Sequence, residues 1–349
     1  MNHRMRGTRA PGEPPSRQPR PAPRRRQQPL SWSRTVPREM VHRTSVAEVL
    51  LTDVRRIDEN RFLAAACWPR SHPTFPLDGP STHHPLMVAE TLRQLGIYIP
   101  LRYFGVAPDA RFLITDLFFT IDPALAPRAV RGASQVSCRV WADGLRTERD
   151  GTATGLRLRV EFLAGPVVFA RAGGGARFLS APRYAALRGP LVAARQPPPT
   201  AGLLRPAPAR LGVAHPRDVV VGLLAAPDSA LHDTPGPLGS MTPGHGPRPV
   251  RQVVTDAADP WHPFFYDHAT DHVPGMVLLE AARQAAALAS DGELVRLTGA
   301  RLKALRFTEF APLARVVAVP HHHTCVFRIE QNGERRAVGV LRFGSPDRV

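Results

Sequence analysis

The stretch HPFFYDHATDHVPGMVLLEAARQ, His262–Gln284, decides how this chain is read. A loop crowded with histidines and aspartates gives way, at Pro274-Gly275, to an apolar run carrying one carboxylate, Glu280, and one cation, Arg283. Met276, Val277, Leu278, Leu279, Ala281 and Ala282 lie all round the helical wheel, so the helix must be nearly buried. Glu280 and Gln284 sit one turn apart on one face, and Arg283 flanks them. Such charges are costly inside a protein unless they are paired or used. Burial raises the proton affinity of a carboxylate toward the range useful for acid/base work, and the adjacent arginine opposes that rise. The Val273-Pro274-Gly275 turn leaves backbone N–H groups free at the helix start, at Gly275 and Met276. A helix terminus of this kind stabilises developing negative charge, and glycine lets a ligand approach the backbone.

Working outward, the same pattern occurs once before. A shift of 190 positions places His72-Pro73 on His262-Pro263, Phe75 on Phe265, Glu90 on Glu280, Arg93 on Arg283 and Gln94 on Gln284, with no gap. The first helix is equally apolar, through Leu86, Met87, Val88, Ala89 and Leu92, but has His84-Pro85-Leu86 where the second has its glycine turn. The openings correspond more loosely, VHRTSVAEVLL around His42 with AHPRDVVVGLL around His215. Apolar runs separated by Gly, Asp and Pro follow each helix: ARFLITDLFFTI, SQVSCRVWAD, GLRLRVEFLAG and VVFARAGG in the first unit, RLKALRFTEFAPL and TCVFRIEQNGERRAVGVLRFG in the second. Asn332-Gly333 marks a hairpin in the latter, and Pro100 is expected to end or kink the first helix.

The chain is therefore read as a duplicated α+β unit, each copy an antiparallel sheet wrapped on a long central helix. The expected boundaries are a disordered basic tail over 1–35, a first repeat over 36–182, a Pro/Arg/Ala-rich linker over 183–208 and a second repeat over 209–345.

Composition narrows the function classes. The 349 residues carry a formal charge of +17, which suggests nucleic acid. Lys303 is the only lysine, however, and much of the arginine lies in the first 43 residues and the Pro-rich middle rather than on one helix face. Nucleic acid is not expected as a partner, and attraction to an acidic protein is. No apolar run is long enough to span a membrane, and no hydrophobic leader segment follows the arginine-rich start, so a cytoplasmic location is expected. Cys67, Cys138 and Cys325 lack disulfide or zinc-ligand spacing. His262, His268 and His272 lack a metal-site pattern, so no metal is expected. His83-His84 and His321–His323 are expected as exposed loop histidines.

HVPGMVLLEAARQ is similar to the helix-start motif of hotdog-fold β-hydroxyacyl thioester dehydratases, where a Pro-Gly turn leads into a helix bearing a catalytic glutamate. The paired HP…E-x-x-R-Q units, with VHR near the start and HPRDVV at the second opening, resemble the AfsA-like family of γ-butyrolactone autoregulator synthases. That resemblance spans about residues 36–345. It implies a tandem (double) hotdog and an acyltransferase. The enzyme would move a β-ketoacyl group from acyl carrier protein to the hydroxyl of dihydroxyacetone phosphate, with no cofactor beyond the phosphopantetheine that the substrate carries.

Carried over residue by residue, Glu90 and Glu280 are acid/base candidates, with His262 a secondary one. Arg93 and Arg283 would hold phosphate or polarise a carbonyl, and Gln94 and Gln284 would orient them. The N–H groups of Gly275 and Met276 would cover the thioester oxygen. The dehydratase-like histidine falls on His262, His268 or His272, and a long Gly/Pro loop over 233–249 departs from the pattern. A dehydratase, a thioesterase and a non-catalytic ligand-binding regulator stay open as alternatives, as do the choice of working repeat and a homo-oligomeric state.

Overall fold

The computed structural model describes residues 29–70, 82–128, 132–189, 203–224, 252–268 and 270–344. The tail before residue 29, His72 to Phe75, the middle of the linker and the 233–249 loop lie outside these.

Twelve antiparallel strands form one continuous sheet. The first half contributes β1 (Leu51–Arg56), β2 (Arg61–Pro69), β3 (Arg111–Ile121), β4 (Ala133–Thr147), β5 (Ala153–Ala164) and β6 (Val167–Leu179) around helix α1 (Leu86–Tyr103). The second contributes β7 (Val221–Leu224), β8 (Gln252–Thr255), β9 (Leu297–Ala304), β10 (Arg315–His321), β11 (Thr324–Gln331) and β12 (Glu334–Phe343) around α3 (Gly275–Ala289). The spatial order is β1-β2-β4-β5-β6-β3-β9-β12-β11-β10-β8-β7. Read from either edge, the two halves have the same order, and they meet where β3 pairs with β9, Phe118 opposite Arg301. The duplication expected from the helix motif is thus present in the topology.

Each helix buries its apolar surface on its own half-sheet. Leu86 to Glu90 of α1 and Met276 to Ala287 of α3 are buried without interruption, which explains why neither sequence shows a polar stripe. Close approach fixes a glycine on β6: a Cβ at Gly173 would stand 2.8 Å from the ring of Phe118 and 2.5 Å from the Leu158 carbonyl oxygen. The Asn332-Gly333 hairpin forms with both residues at positive φ, 55° and 72°.

Several expectations need correction. Pro100 does not stop α1; it lies inside the last turn, and its carbonyl accepts the Phe104 N–H. The run after Ala304 leaves the sheet instead of continuing as strand. The start of the linker is a short helix, α2 (Ala181–Arg188).

The openings align three positions away from the loose match of His42 with His215. Gln94 bonds the Glu48 carbonyl and the Leu50 N–H, while Gln284 bonds the Asp218 carbonyl and the Val220 N–H. This register puts Val41, His42 and Arg43 opposite Leu211, Gly212 and Val213.

Candidate functional site

The helix-borne residues singled out from sequence come together as two buried clamps. In the second half, Arg283 Nε donates to both oxygens of Glu280 (3.0 and 2.9 Å), and Gln284 donates to Oε1 (2.9 Å). A second nitrogen of Arg283 donates to the Leu211 carbonyl at 2.8 Å. In the first half Arg93 lies 3.4 Å from Glu90 and donates to the Val41 carbonyl at 3.1 Å. Gln94 donates to Glu90 at 2.8 Å. Each clamp therefore ties the opening segment of its half to its helix.

Sequence reasoning set burial, which raises the proton affinity of these carboxylates, against the adjacent arginine, which lowers it, and the arginines prevail. Burial acts to raise both, but the charge of Arg43 and Arg93 on Glu90, and of Arg283 on Glu280, with the hydrogen bonds they donate, leaves both below the usual carboxylate range. Arg93, drawn down to about 10 chiefly by burial, remains a cation at neutral pH.

The halves differ at one residue that sequence reasoning missed. Arg43 Nη2 lies 2.7 Å from Glu90 Oε1, and Nη1 donates to the Phe264 carbonyl (2.8 Å) in the other half. Asp267 completes the contact by accepting the Thr44 and Ser45 N–H groups (2.8 and 3.1 Å). The second half has Val213 in place of Arg43. Arg43 stands in the polar stretch His42-Arg43-Thr44-Ser45, so nothing in the local sequence marked it for burial.

This cross-half contact brings the 262–272 loop against α1 and gathers groups from distant parts of the chain. His268 is mostly buried, and its Nδ1 has no hydrogen-bond partner among the described residues. Burial, reinforced by Arg93, Arg43, His42 and His272, holds this imidazole down at about 2. His42, edge-on to Phe112 at 5.2 Å, is likewise held at about 4 by burial and by Arg93 and Arg111. His272 Nδ1 lies 2.8 Å from Asp271 Oδ1, which also accepts the Tyr184 hydroxyl at 2.6 Å. Arg188 of α2 binds Asp271 (3.1 Å) and both oxygens of Glu309 (2.7 and 2.8 Å). Burial raises the Asp271 pKa less than His272 and Tyr184 lower it, so Asp271 stays ionised. The stretch read as plain linker thus supplies part of the site.

Gly275 and Met276 open α3 just beyond His272, and neither N–H has a partner among the described residues. A Cβ on Gly275 would meet only the Ile114 side chain, at 3.8 Å. The equivalent start of α1 is closed: the Leu86 N–H donates to His84 Nδ1 (3.2 Å) and the Met87 N–H to the His84 carbonyl (2.9 Å). His83 and His84 are half-buried rather than exposed. His83 bonds Ser134 at 2.8 Å, and the charge of His84 reaches Glu280. His262 is fully buried, with Nε2 3.0 Å from Asp218 and Nδ1 accepting the Phe264 and Phe265 N–H groups. His321–His323 are exposed, as expected. Among the described residues, no helix is long and apolar enough to cross a membrane.

Two long helices, each wrapped by an antiparallel half-sheet and facing each other within one chain, define a double hotdog protein. The chain matches the A-factor biosynthesis hotdog domain, AfsA, over residues 25–180 and 248–335, and it belongs to that family. It is 36% identical over 253 residues to a 2-oxo-3-(phosphooxy)propyl 3-oxoalkanoate synthase of Streptomyces virginiae, covering 72% of this chain and 76% of that protein. A synthase of the same name from Streptomyces griseus is 30% identical over 284 residues, covering 80% and 84% respectively. Among solved structures, an acyl-ACP thioesterase from Bacteroides thetaiotaomicron VPI-5482 overlays with a TM-score of 0.44 and 11% identity, over 81% of this chain and 98% of the other.

Proposed function

We propose that this chain joins a β-ketoacyl group, delivered as an acyl carrier protein thioester, to the hydroxyl of dihydroxyacetone phosphate in γ-butyrolactone autoregulator biosynthesis. The name shared by the Streptomyces relatives describes an ester of those two halves. The observation that carries the reading is the pairing of an oriented imidazole, His272 on Asp271, with the N–H groups of Gly275 and Met276, which have no partner among the described residues.

Ionised Asp271 accepts the Nδ1 proton of His272, which leaves Nε2 as the basic nitrogen. The acceptor hydroxyl gives its proton to Nε2 as its oxygen attacks the thioester carbonyl. The N–H groups at the start of α3 hold the oxyanion. Collapse of the tetrahedral intermediate breaks the C–S bond, and the imidazolium returns the proton to the departing pantetheine sulfur. No oxidant or metal enters the balance.

Only one of the two equivalent positions supplies this arrangement, because the start of α1 is capped by its own His84. The working site therefore lies between α1 and the loop leading into α3. Glu90, Arg93, Gln94, Glu280, Arg283 and Gln284 act as the framework that holds the opening segments, and His262 braces Asp218. The basic surface attracts an acidic carrier protein. Incubation with β-ketoacyl carrier protein and dihydroxyacetone phosphate should yield the phosphorylated ester by mass spectrometry. Free acid without ester would point to a thioesterase, and no turnover to a regulator.

A further inference from the structure

A phosphate dianion needs donors that are not already committed, and most guanidiniums near the site are. Arg93 is spent on Glu90 and on the Val41 and His42 carbonyls. Arg43 is spent on Glu90 and the Phe264 carbonyl, and Arg283 on Glu280 and the Leu211 and Val295 carbonyls. Arg188 holds Asp271 and Glu309. This removes Arg93 and Arg283, the phosphate holders expected from sequence.

Arg111, at the start of β3, is different. It has no ion pair or side-chain hydrogen bond among the described residues. Its guanidinium stands 5.8 Å from the centre of the Tyr184 ring, and Tyr184 bonds the same Asp271 that orients His272. On its other side the charge of Arg111 reaches His42, whose ring packs on Phe112, the next residue along the strand.

His42 itself is held in the left-handed region, φ 50°, where the other half has Gly212 at φ 62°. A non-glycine residue is uncommon there, so the two halves have diverged at this position. The buried Nδ1 of His268, without a partner among the described residues, adds a second polar group to the same cluster. The arginine charges that bear most on its two depressed imidazoles, His42 and His268, are those of Arg93, Arg43 and Arg111, a field suited to an anion.

We infer that Arg111, with His42 beside it, is the phosphate subsite for the acceptor, and that it makes the enzyme select a phosphorylated three-carbon alcohol over its unphosphorylated form. The inference rests on the acyl-transfer reading above. Arg111 is exposed, so its replacement leaves the fold intact.

The test compares the wild-type protein with Arg111→Gln and Arg111→Lys. Kinetics are measured on dihydroxyacetone phosphate and on dihydroxyacetone, and binding of dihydroxyacetone phosphate and inorganic phosphate by calorimetry. Loss of a charge-assisted contact predicts that Arg111→Gln raises KM for the phosphorylated acceptor roughly ten- to a hundredfold, with kcat changed far less. Arg111→Lys should recover part of that loss. Transfer to dihydroxyacetone, which offers no phosphate, should change far less than transfer to the phosphorylated acceptor. An unchanged KM, or equal calorimetric affinity in wild type and Arg111→Gln, overturns the subsite. Failure of the wild type to form ester while phosphate still binds through Arg111 would instead overturn the acyl-transfer reading and leave the anion site standing.

Discussion

Arg43 Nη2 lies 2.7 Å from Glu90 Oε1, and the guanidinium that makes this contact also donates across the molecule to the Phe264 carbonyl at 2.8 Å. One buried cation therefore fastens the opening segment, the first long helix and the loop of the second half. Both partners of the pair are almost wholly removed from solvent. Replacing Arg43 by Met leaves a carboxylate buried beside Arg93 alone, and breaking a buried pair costs about 3–5 kcal/mol. Urea unfolding of Arg43→Met should show a loss of that size. A loss below about 1 kcal/mol, the range of surface pairs, would remove the bridge from the account.

The two glutamines make a paired test of the framework. Gln94 and Gln284 each satisfy a backbone carbonyl, a backbone N–H and a glutamate oxygen in the core. Changing either to Leu orphans those groups, at a cost of about 1–3 kcal/mol for each buried polar group left unsatisfied. Both variants should unfold at clearly lower denaturant while the folded protein keeps most of its turnover. If Gln284→Leu instead abolishes kcat in a protein of wild-type stability, the second clamp belongs to the chemistry.

Glu90 and Glu280 make a prediction with a definite sign. Their folded-state pKa lies below the ordinary value of 4.5, so the stability they add is present above that value and drains away as pH falls through the depressed one. Glu280→Gln should therefore be less stable at neutral pH and show a shallower acid limb in thermal unfolding. The pH dependence of kcat should keep its shape, because in the proposed mechanism His272 carries the proton. A rate profile that loses one limb in Glu90→Gln or Glu280→Gln would return these residues to acid/base duty.

His42 acts in the same direction from a different origin. Burial, with Arg93 and Arg111 beside it, holds the imidazole at about 4 against 6.5 in the unfolded chain. The unfolded state thus binds a proton that the folded state refuses, and stability falls as pH drops from about 6.5 toward 4. Asparagine tolerates left-handed backbone, so His42→Asn should retain the fold and flatten the melting temperature over that interval. Parallel curves for variant and wild type would mean that His42 is protonated no less easily in the folded chain.

How much of this was legible differs by element. The repeated E-x-x-R-Q on all-apolar helices fixed the architecture, because a long helix with no polar stripe needs a sheet wrapped round it. Asn332-Gly333 announced its hairpin, since the turn demands positive φ twice. The site was read less well. Glu90 and Glu280 stood out because charge on a greasy helix is rare, yet rarity does not distinguish a reactive group from a clamp. For Glu90 that distinction depends on Arg43, which lies 47 residues before it in sequence. Tyr184 and Arg188 were hidden in a stretch whose composition reads as linker, and their partners lie 87 and 83 residues away. His83 and His84 read as exposed because periodicity carries no information about a loop folded back on a neighbouring helix.

The sharpest test lies at His272 and Asp271. Asp271 has three claims on it, from His272 at 2.8 Å, Tyr184 at 2.6 Å and Arg188 at 3.1 Å. Together they fix the carboxylate so that it can select the imidazole tautomer with Nε2 unprotonated. Removing the base by His272→Ala should lower kcat about 10²–10⁴-fold, with KM for both substrates nearly unchanged. Asp271→Asn retains the shape but can present its amide N–H to Nδ1, reversing the tautomer. Its rate should fall by a comparable factor, and the double variant should be little worse than either single one, since the two residues act as a unit. Tyr184→Phe removes only one of the three claims and should cost far less. If His272→Ala turns over at the wild-type rate, or if the two losses simply multiply, His272 and Asp271 do not form the proton-carrying pair.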